Sequence, residues 1–166
     1  MPLYKGCGEN EPVTWFKQTI RHSCGLMALV HALSNSRGRH EYIQPGSLLD
    51  SLLAESIPLE PEARAKVLYN SIPLEHAHAA ATVQGDTASP EDLNSEFHHF
   101  ITFVKAEDGT LWELNGGMNG PIARGHLGDD EDALHEKSLD LGVRTILQHV
   151  QEEPGFSIVA MSVGVL

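Results

Sequence analysis

The chain has 166 residues, 41% of them hydrophobic, and a net charge of −12 from 23 acidic against 11 basic side chains. That length suits one domain with a substantial core. The acidic balance argues against nucleic-acid binding, which needs a basic face to meet phosphates, and no apolar run is long enough to span a membrane.

The start, Met-Pro-Leu-Tyr-Lys-Gly, lacks the apolar stretch of a secretory signal. Only Cys7 and Cys24 are present, too few for a disulfide framework, so a reducing compartment is expected and the cytoplasm fits.

Residues 1–13, rich in Gly, Pro and Glu, read as a disordered arm ahead of one domain over 14–166. Thr14-Trp-Phe-Lys-Gln18 is a short extended approach to a helix over about 23–35, in which Leu26, Met27, Leu29, Val30 and Leu33 recur at helical spacing. The cluster Asn35-Ser-Arg-Gly38 ends it. Ser47 caps a short amphipathic helix carrying Leu48, Leu49, Leu52 and Leu53, and Pro58 closes it. Pro61 sits at the first position of a further helix reaching about Asn70.

Residues 71–95, with alanines, threonine and the breakers Gly85-Asp86 and Ser89-Pro90, read as a long irregular loop, a kind that is often functional. A strand over 97–106, the turn Glu107-Asp108-Gly109 and a strand Thr110–Leu114 form a hairpin. Glycine-rich residues 116–125 lead to an acidic segment, a helix around 139–150 and a final apolar strand over 156–165. Helices first and sheet later make the expected class α+β, with helices packed on a mainly antiparallel sheet.

The chemistry centres on Cys24. The spacing puts its thiol at the first turn of a buried helix, where partial positive charge and unpaired N–H groups favour the thiolate. Most lone cysteines are inert packing, so a base and an orienter must come from elsewhere. His99 starts one strand of the hairpin and Asn115 ends the other, which sets them side by side at its open end. A histidine takes the thiol proton and later protonates a leaving amine, while an asparagine oxygen holds the ring. Gln18, on the approach to Cys24, has an amide N–H₂ suited to a developing oxyanion.

His98 competes with His99, and neighbouring strand residues face opposite ways. His99 is chosen for its even spacing with Ile101 and Phe103, taken as the core side. His22, His31, His76 and His78 have no assigned role, and no spacing resembles a tight zinc pattern, so neither metal nor cofactor is expected.

On these motifs the chain resembles the ubiquitin carboxyl-terminal hydrolase family of papain-like cysteine peptidases. Gln18-Thr-Ile-Arg-His-Ser-Cys-Gly is similar to the family's Gln-Thr-Ile-Gly-Asn-Ala-Cys-Gly. His99-Phe-Ile-Thr-Phe-Val and Leu111-Trp-Glu-Leu-Asn-Gly are similar to His-Phe-Ile and Leu-Tyr-Glu-Leu-Asp-Gly, and Pro121-Ile122 matches the Pro-Ile that follows.

The resemblance implies a papain-like fold and a thiol-dependent deubiquitinase. It would hydrolyse amide or ester bonds at the C-terminal glycine of ubiquitin, on small or unfolded adducts. Cys24 is then nucleophile, His99 general base and acid, Gln18 oxyanion donor and position 115 the orienter. Residues 71–95 correspond to a crossover loop over the site. Ubiquitin and its adducts are the implied partners, and the acidic balance suits the basic tail that precedes the glycine.

Three departures accompany it. Asn115 stands where the family has Asp and carries no charge to stabilise an imidazolium. His22 and Ser23 replace Asn and Ala beside the nucleophile. Only 17 residues precede Gln18, where the family has several dozen, including a core strand. Either the chain is a fragment or its start is misassigned, or the sheet lacks one N-terminal strand and exposes an edge. A ubiquitin-binding module with weak or no turnover, and a papain-like thiol hydrolase with another substrate, stay open as readings.

Overall fold

The computed structural model describes residues 2–36, 39–85, 99–148 and 156–161. Five helices come first: α1 (Cys24–Asn35), α2 (Arg39–Tyr42), α3 (Leu48–Ser56), α4 (Pro61–Tyr69) and α5 (Ile72–Thr82). An antiparallel sheet follows in the order β1 (Thr102–Lys105), β2 (Thr110–Leu114), β3 (Ile122–His126). Two short helices, α6 (Glu136–Leu141) and α7 (Val143–Leu147), come last. Helices then sheet is the α+β arrangement expected.

Local chemistry accounts for the helix limits. Ser47 Oγ accepts from Asp50 N at the start of α3, and Pro61 opens α4 where its missing N–H costs nothing. Residues 71–85, expected within an irregular loop, instead contain α5: Ser71 Oγ accepts from Leu74 N, Pro73 lies in the first turn, and the alanine run is intrinsically helix-forming. The rest of that expected loop, 86–95, lies outside the described residues.

The β1–β2 hairpin turns at Gly109, whose φ of +83° favours glycine. Thr102 pairs with Leu114 and Lys105 with Leu111. β1 is shorter than the expected strand, since residues 99–101 are not extended into the ladder. β3 was not anticipated. Its Ala-Arg-Gly-His stretch lacks apolar alternation: among the described residues it pairs only with β2 and is partly open to solvent, and such a strand needs little of it.

The expected helix over 139–150 divides at Gly142. A Cβ there would lie 2.9 Å from the Phe103 ring and 3.1 Å from Ser138 O, so the glycine lets α6 and α7 close over the sheet. Residues 156–161, expected as strand, are exposed and without regular structure. Their β-prone side chains make a strand only where a neighbour pairs with them.

Two apolar clusters share one hinge of chain. Phe16 joins Met27, Val30, Leu52, Leu53, Leu68 and Leu74 among the helices. Val13 and Trp15 join Val104, Ala106 and Leu114 against the sheet. The extended segment between them is held by side chains rather than by a strand. Asn35 Oδ1 accepts from Thr14 N at 2.7 Å, and its Nδ2 donates to Thr14 O at 2.9 Å. His31 Nε2 accepts from Phe16 N at 2.9 Å, and Arg64 Nη1 donates to Trp15 O at 2.9 Å. Buried backbone groups need such partners.

Residues 2–13, expected as a disordered arm, lie against this body. Tyr4 N donates to Asn119 O at 2.7 Å, Gly8 N to Ile57 O at 2.8 Å, and Glu11 pairs with the fully buried Arg64. Composition measured the polarity of this segment but not the contacts that offset its ordering entropy.

Candidate functional site

Cys24 is the first residue of α1 and half-buried. The turn before it is unusual. His22 adopts φ +57°, and Ser23, at the N-cap, turns its hydroxyl away from the helix to donate to Ile20 O at 2.8 Å. Helix bonding begins with Met27 N donating to Ser23 O at 2.8 Å. The hydroxyl therefore does not cap the first turn, where the partial positive charge of the helix lies.

Gln18 lies on the same approach. Its Nε2 donates to Ile20 O at 3.3 Å, so that carbonyl takes donors from both Gln18 and Ser23. Its backbone N–H donates to Gly116 O at 2.8 Å. This bond brings the approach segment against the turn that follows β2. A second link is Trp15 Nε1 donating to Asn115 O at 3.1 Å.

Asn115 and His99 meet at the open end of the hairpin. His99 Nε2 and Asn115 Oδ1 are 2.8 Å apart. Gly117 N donates to the same oxygen at 2.9 Å. A backbone N–H can only donate, so Oδ1 rather than Nδ2 must face this way, and His99 presents Nε2–H to it. The other ring nitrogen, Nδ1, is then the basic one.

Two contacts link α1 to the start of the hairpin. Thr102 Oγ1 donates to Ala28 O at 2.8 Å, tying β1 to α1. A Cβ at Gly25 would meet the Phe100 ring at 3.8 Å. Gly25 follows Cys24 and Phe100 follows His99, so the two groups flank one contact. The segment 15–18 thus contacts 115–116, and Gly25 lies beside Phe100.

The reason for preferring His99 over His98 is corrected by the structure. Thr102 and Val104 are the buried positions of β1, not Ile101 and Phe103. His99 precedes the strand, so alternation does not reach it, and its placement follows from the bond to Asn115. His98 lies outside the described residues.

The remaining histidines separate clearly. His31 is buried in the helical core, and loss of hydration pushes its pKa down to about 4, so it is neutral and accepts from Phe16 N. His76 and His78 lie on α5. Sequence reasoning missed Trp15, Gly116 and Arg64. The pair Gly116-Gly117 was a usable signal for close backbone approach. Arg64, in a weakly amphipathic helix, carried none.

Comparison with known proteins gives the same outline. Residues 4–148 match the family model described as ubiquitin carboxyl-terminal hydrolase, family 1. The chain is 34% identical over 157 residues to ubiquitin carboxyl-terminal hydrolase isozyme L1 of Sus scrofa, covering 95% of this chain and 67% of that one. It is 31% identical over 156 residues to ubiquitin carboxyl-terminal hydrolase 3 of Arabidopsis thaliana, covering 92% and 62%. It thus spans about two-thirds of these relatives' length.

Among solved structures, the catalytic domain of Trichinella spiralis UCH37 bound to ubiquitin vinyl methyl ester superposes with a TM-score of 0.62. Its sequence identity is 20%, covering 90% of this chain and 66% of that one. This neighbour shares the fold. With its sequence motifs, its helix-then-sheet architecture and these matches in agreement, the chain belongs to the ubiquitin carboxyl-terminal hydrolase family.

Proposed function

We propose that this chain is a thiol-dependent deubiquitinase that cleaves amide or ester bonds at the C-terminal glycine of ubiquitin. The observation that carries the reading is the His99–Asn115 pair, held at the open end of a hairpin whose strand β1 is bonded to the helix that Cys24 begins.

His99 Nδ1 takes the proton of the Cys24 thiol, and the thiolate adds to the glycine carbonyl carbon. The oxygen becomes an anion, for which Gln18 has a second amide hydrogen beyond the one given to Ile20 O. Collapse breaks the carbonyl–nitrogen bond as the imidazolium protonates the leaving amine, and leaves a thioester on Cys24. Water then adds to the thioester, giving its proton to His99, and the thiolate leaves with the carboxylate product released. Asn115 keeps the ring in the tautomer these steps require.

Ubiquitin is the proposed partner. The net charge of −12 suits the basic tail ahead of its glycine, and the structural neighbour from Trichinella spiralis is held with a ubiquitin ester. Thiolate chemistry with Cys7 and Cys24 both free suits a reducing compartment, and the cytoplasm is the location proposed.

The test is labelling by ubiquitin vinyl methyl ester beside hydrolysis of a C-terminal amide reporter. Wild type should form one adduct, and Cys24→Ala none. A folded wild type that neither labels nor turns over would refute the reading. Ubiquitin affinity without turnover would instead assign a binding module.

A further inference from the structure

We propose that Gly116 is a positioning residue: its missing side chain lets the strip 115–117 seat Gln18 and Asn115 at a fixed spacing, so that the oxyanion donor and the imidazole act on one carbonyl. The inference rests on the deubiquitinase reading and deepens it.

Three observations carry it. Gly116 O accepts from Gln18 N at 2.8 Å. A Cβ at Gly116 would stand 2.9 Å from Gln18 Cβ, 3.1 Å from Gln18 N and 3.2 Å from Phe16 O. These are backbone atoms and the root of a side chain, so relief requires the approach segment itself to move rather than a flexible tip. The neighbouring residue carries the other half of the strip. A Cβ at Gly117 would meet Asn115 Oδ1 at 3.3 Å and His99 Nε2 at 3.9 Å.

The two glycines therefore lie against different parts of the chemistry. Gly116 lies against the residue proposed to stabilise charge on the substrate oxygen, and Gly117 against the pair proposed to move the proton. The φ of neither glycine lies in the left-handed region, so the need at Gly116 is for close approach and not for backbone freedom. Trp15 Nε1, bonded to Asn115 O at 3.1 Å, is a second contact between the same two segments.

Gly116→Ala should displace Gln18 from the substrate oxygen while leaving the thiol and imidazole paired. The experiment compares reporter hydrolysis and the pH profile of Cys24 alkylation by iodoacetamide in wild type, Gly116→Ala, Gln18→Ala and the double variant. Alkylation needs the thiolate but no oxyanion donor, so a merely structural collapse would alter it. Gly116→Ala is expected to lower kcat about tenfold or more, with KM within about threefold and the alkylation profile unchanged. The double variant should be within about twofold of Gln18→Ala alone, because the damage acts through that residue.

Full activity in Gly116→Ala, losses that multiply in the double variant, or an altered alkylation profile would each overturn the inference. If Gly116→Ala does not unfold cooperatively, Trp15→Phe decides. It removes a bond between the same segments without adding an atom. A kcat loss that disappears in the Gln18→Ala background supports the inference, and one that persists, or no loss, overturns it. Wild type that is folded and alkylated yet gives no turnover defeats the functional reading and this inference together, whereas turnover insensitive to Gly116→Ala defeats this inference alone.

Discussion

The imidazole of His99 donates through Nε2 to Asn115 Oδ1 at 2.8 Å, and that one oxygen also takes the Gly117 N–H at 2.9 Å. The shared acceptor orients the ring but adds no charge. Asn115→Asp would keep both hydrogen bonds and place a carboxylate against the ring, favouring the imidazolium of the proposed ion pair with Cys24. Reporter hydrolysis should rise about tenfold in kcat/KM, the worth of roughly one pK unit, and fall in Asn115→Ala. An aspartate variant no faster than wild type would mean that charge at this position does not limit the site.

His22 holds φ +57°, a conformation that glycine and asparagine adopt readily, histidine less so, and β-branched residues poorly. The turn it makes delivers Ser23 and Cys24 to the start of α1. His22→Asn should therefore tolerate this backbone better than His22→Val. His22→Val should be about 1–2 kcal/mol less stable than His22→Asn, read by urea unfolding, and should slow alkylation of Cys24. Equal stability of the two variants would show that the turn is not under backbone constraint.

His31 makes acid stability fall. Its folded pKa of about 4 lies below the ordinary 6.5 because burial penalises the cation. Below pH 6.5 the unfolded chain binds a proton that the native one refuses until about pH 4. Stability from this group is therefore present above 6.5 and is lost as pH drops toward 4. The loss approaches 1.4 kcal/mol per pH unit, about 3 kcal/mol in all. His31→Gln can still accept from Phe16 N, so the difference between the two urea-unfolding curves over pH 4–7 isolates the effect. Parallel curves would rule it out.

Arg64 has no exposure and spends its guanidinium on Ser56 O, Trp15 O, Ile57 O and the carboxylate of Glu11. Arg64→Met leaves those carbonyls without donors and Glu11 without its counter-ion, a cost of about 3–5 kcal/mol. Because Trp15 is one of the residues held, loss of Arg64 should also lower reporter turnover in the protein that stays folded. Urea unfolding and specific activity measure the two effects separately.

Much of the helical half was legible in the residues. The 3.6-residue recurrence through Leu26, Met27 and Val30 and the caps at Ser47 and Pro61 are local signals that survive in the folded chain. So is the hairpin about Gly109, whose second strand ends just before Asn115. Legibility failed where pairing or contact at a distance decided the outcome. β3 has no alternation to read, residues 156–161 have β-prone side chains but no ladder among the described residues, and α5 was hidden by the breakers that follow it.

The candidate site divides the same way. Short-range spacing determined that a thiol would open a helix and that a hairpin would turn about Gly109, because helix periodicity and turn chemistry are properties of neighbouring residues. Only tertiary structure decided how those pieces face one another. The bonds from Gln18 N to Gly116 O, Trp15 Nε1 to Asn115 O and Thr102 Oγ1 to Ala28 O join segments up to 100 residues apart. Such bonds depend on which backbone groups the packed core leaves unpaired, and no local pattern encodes that.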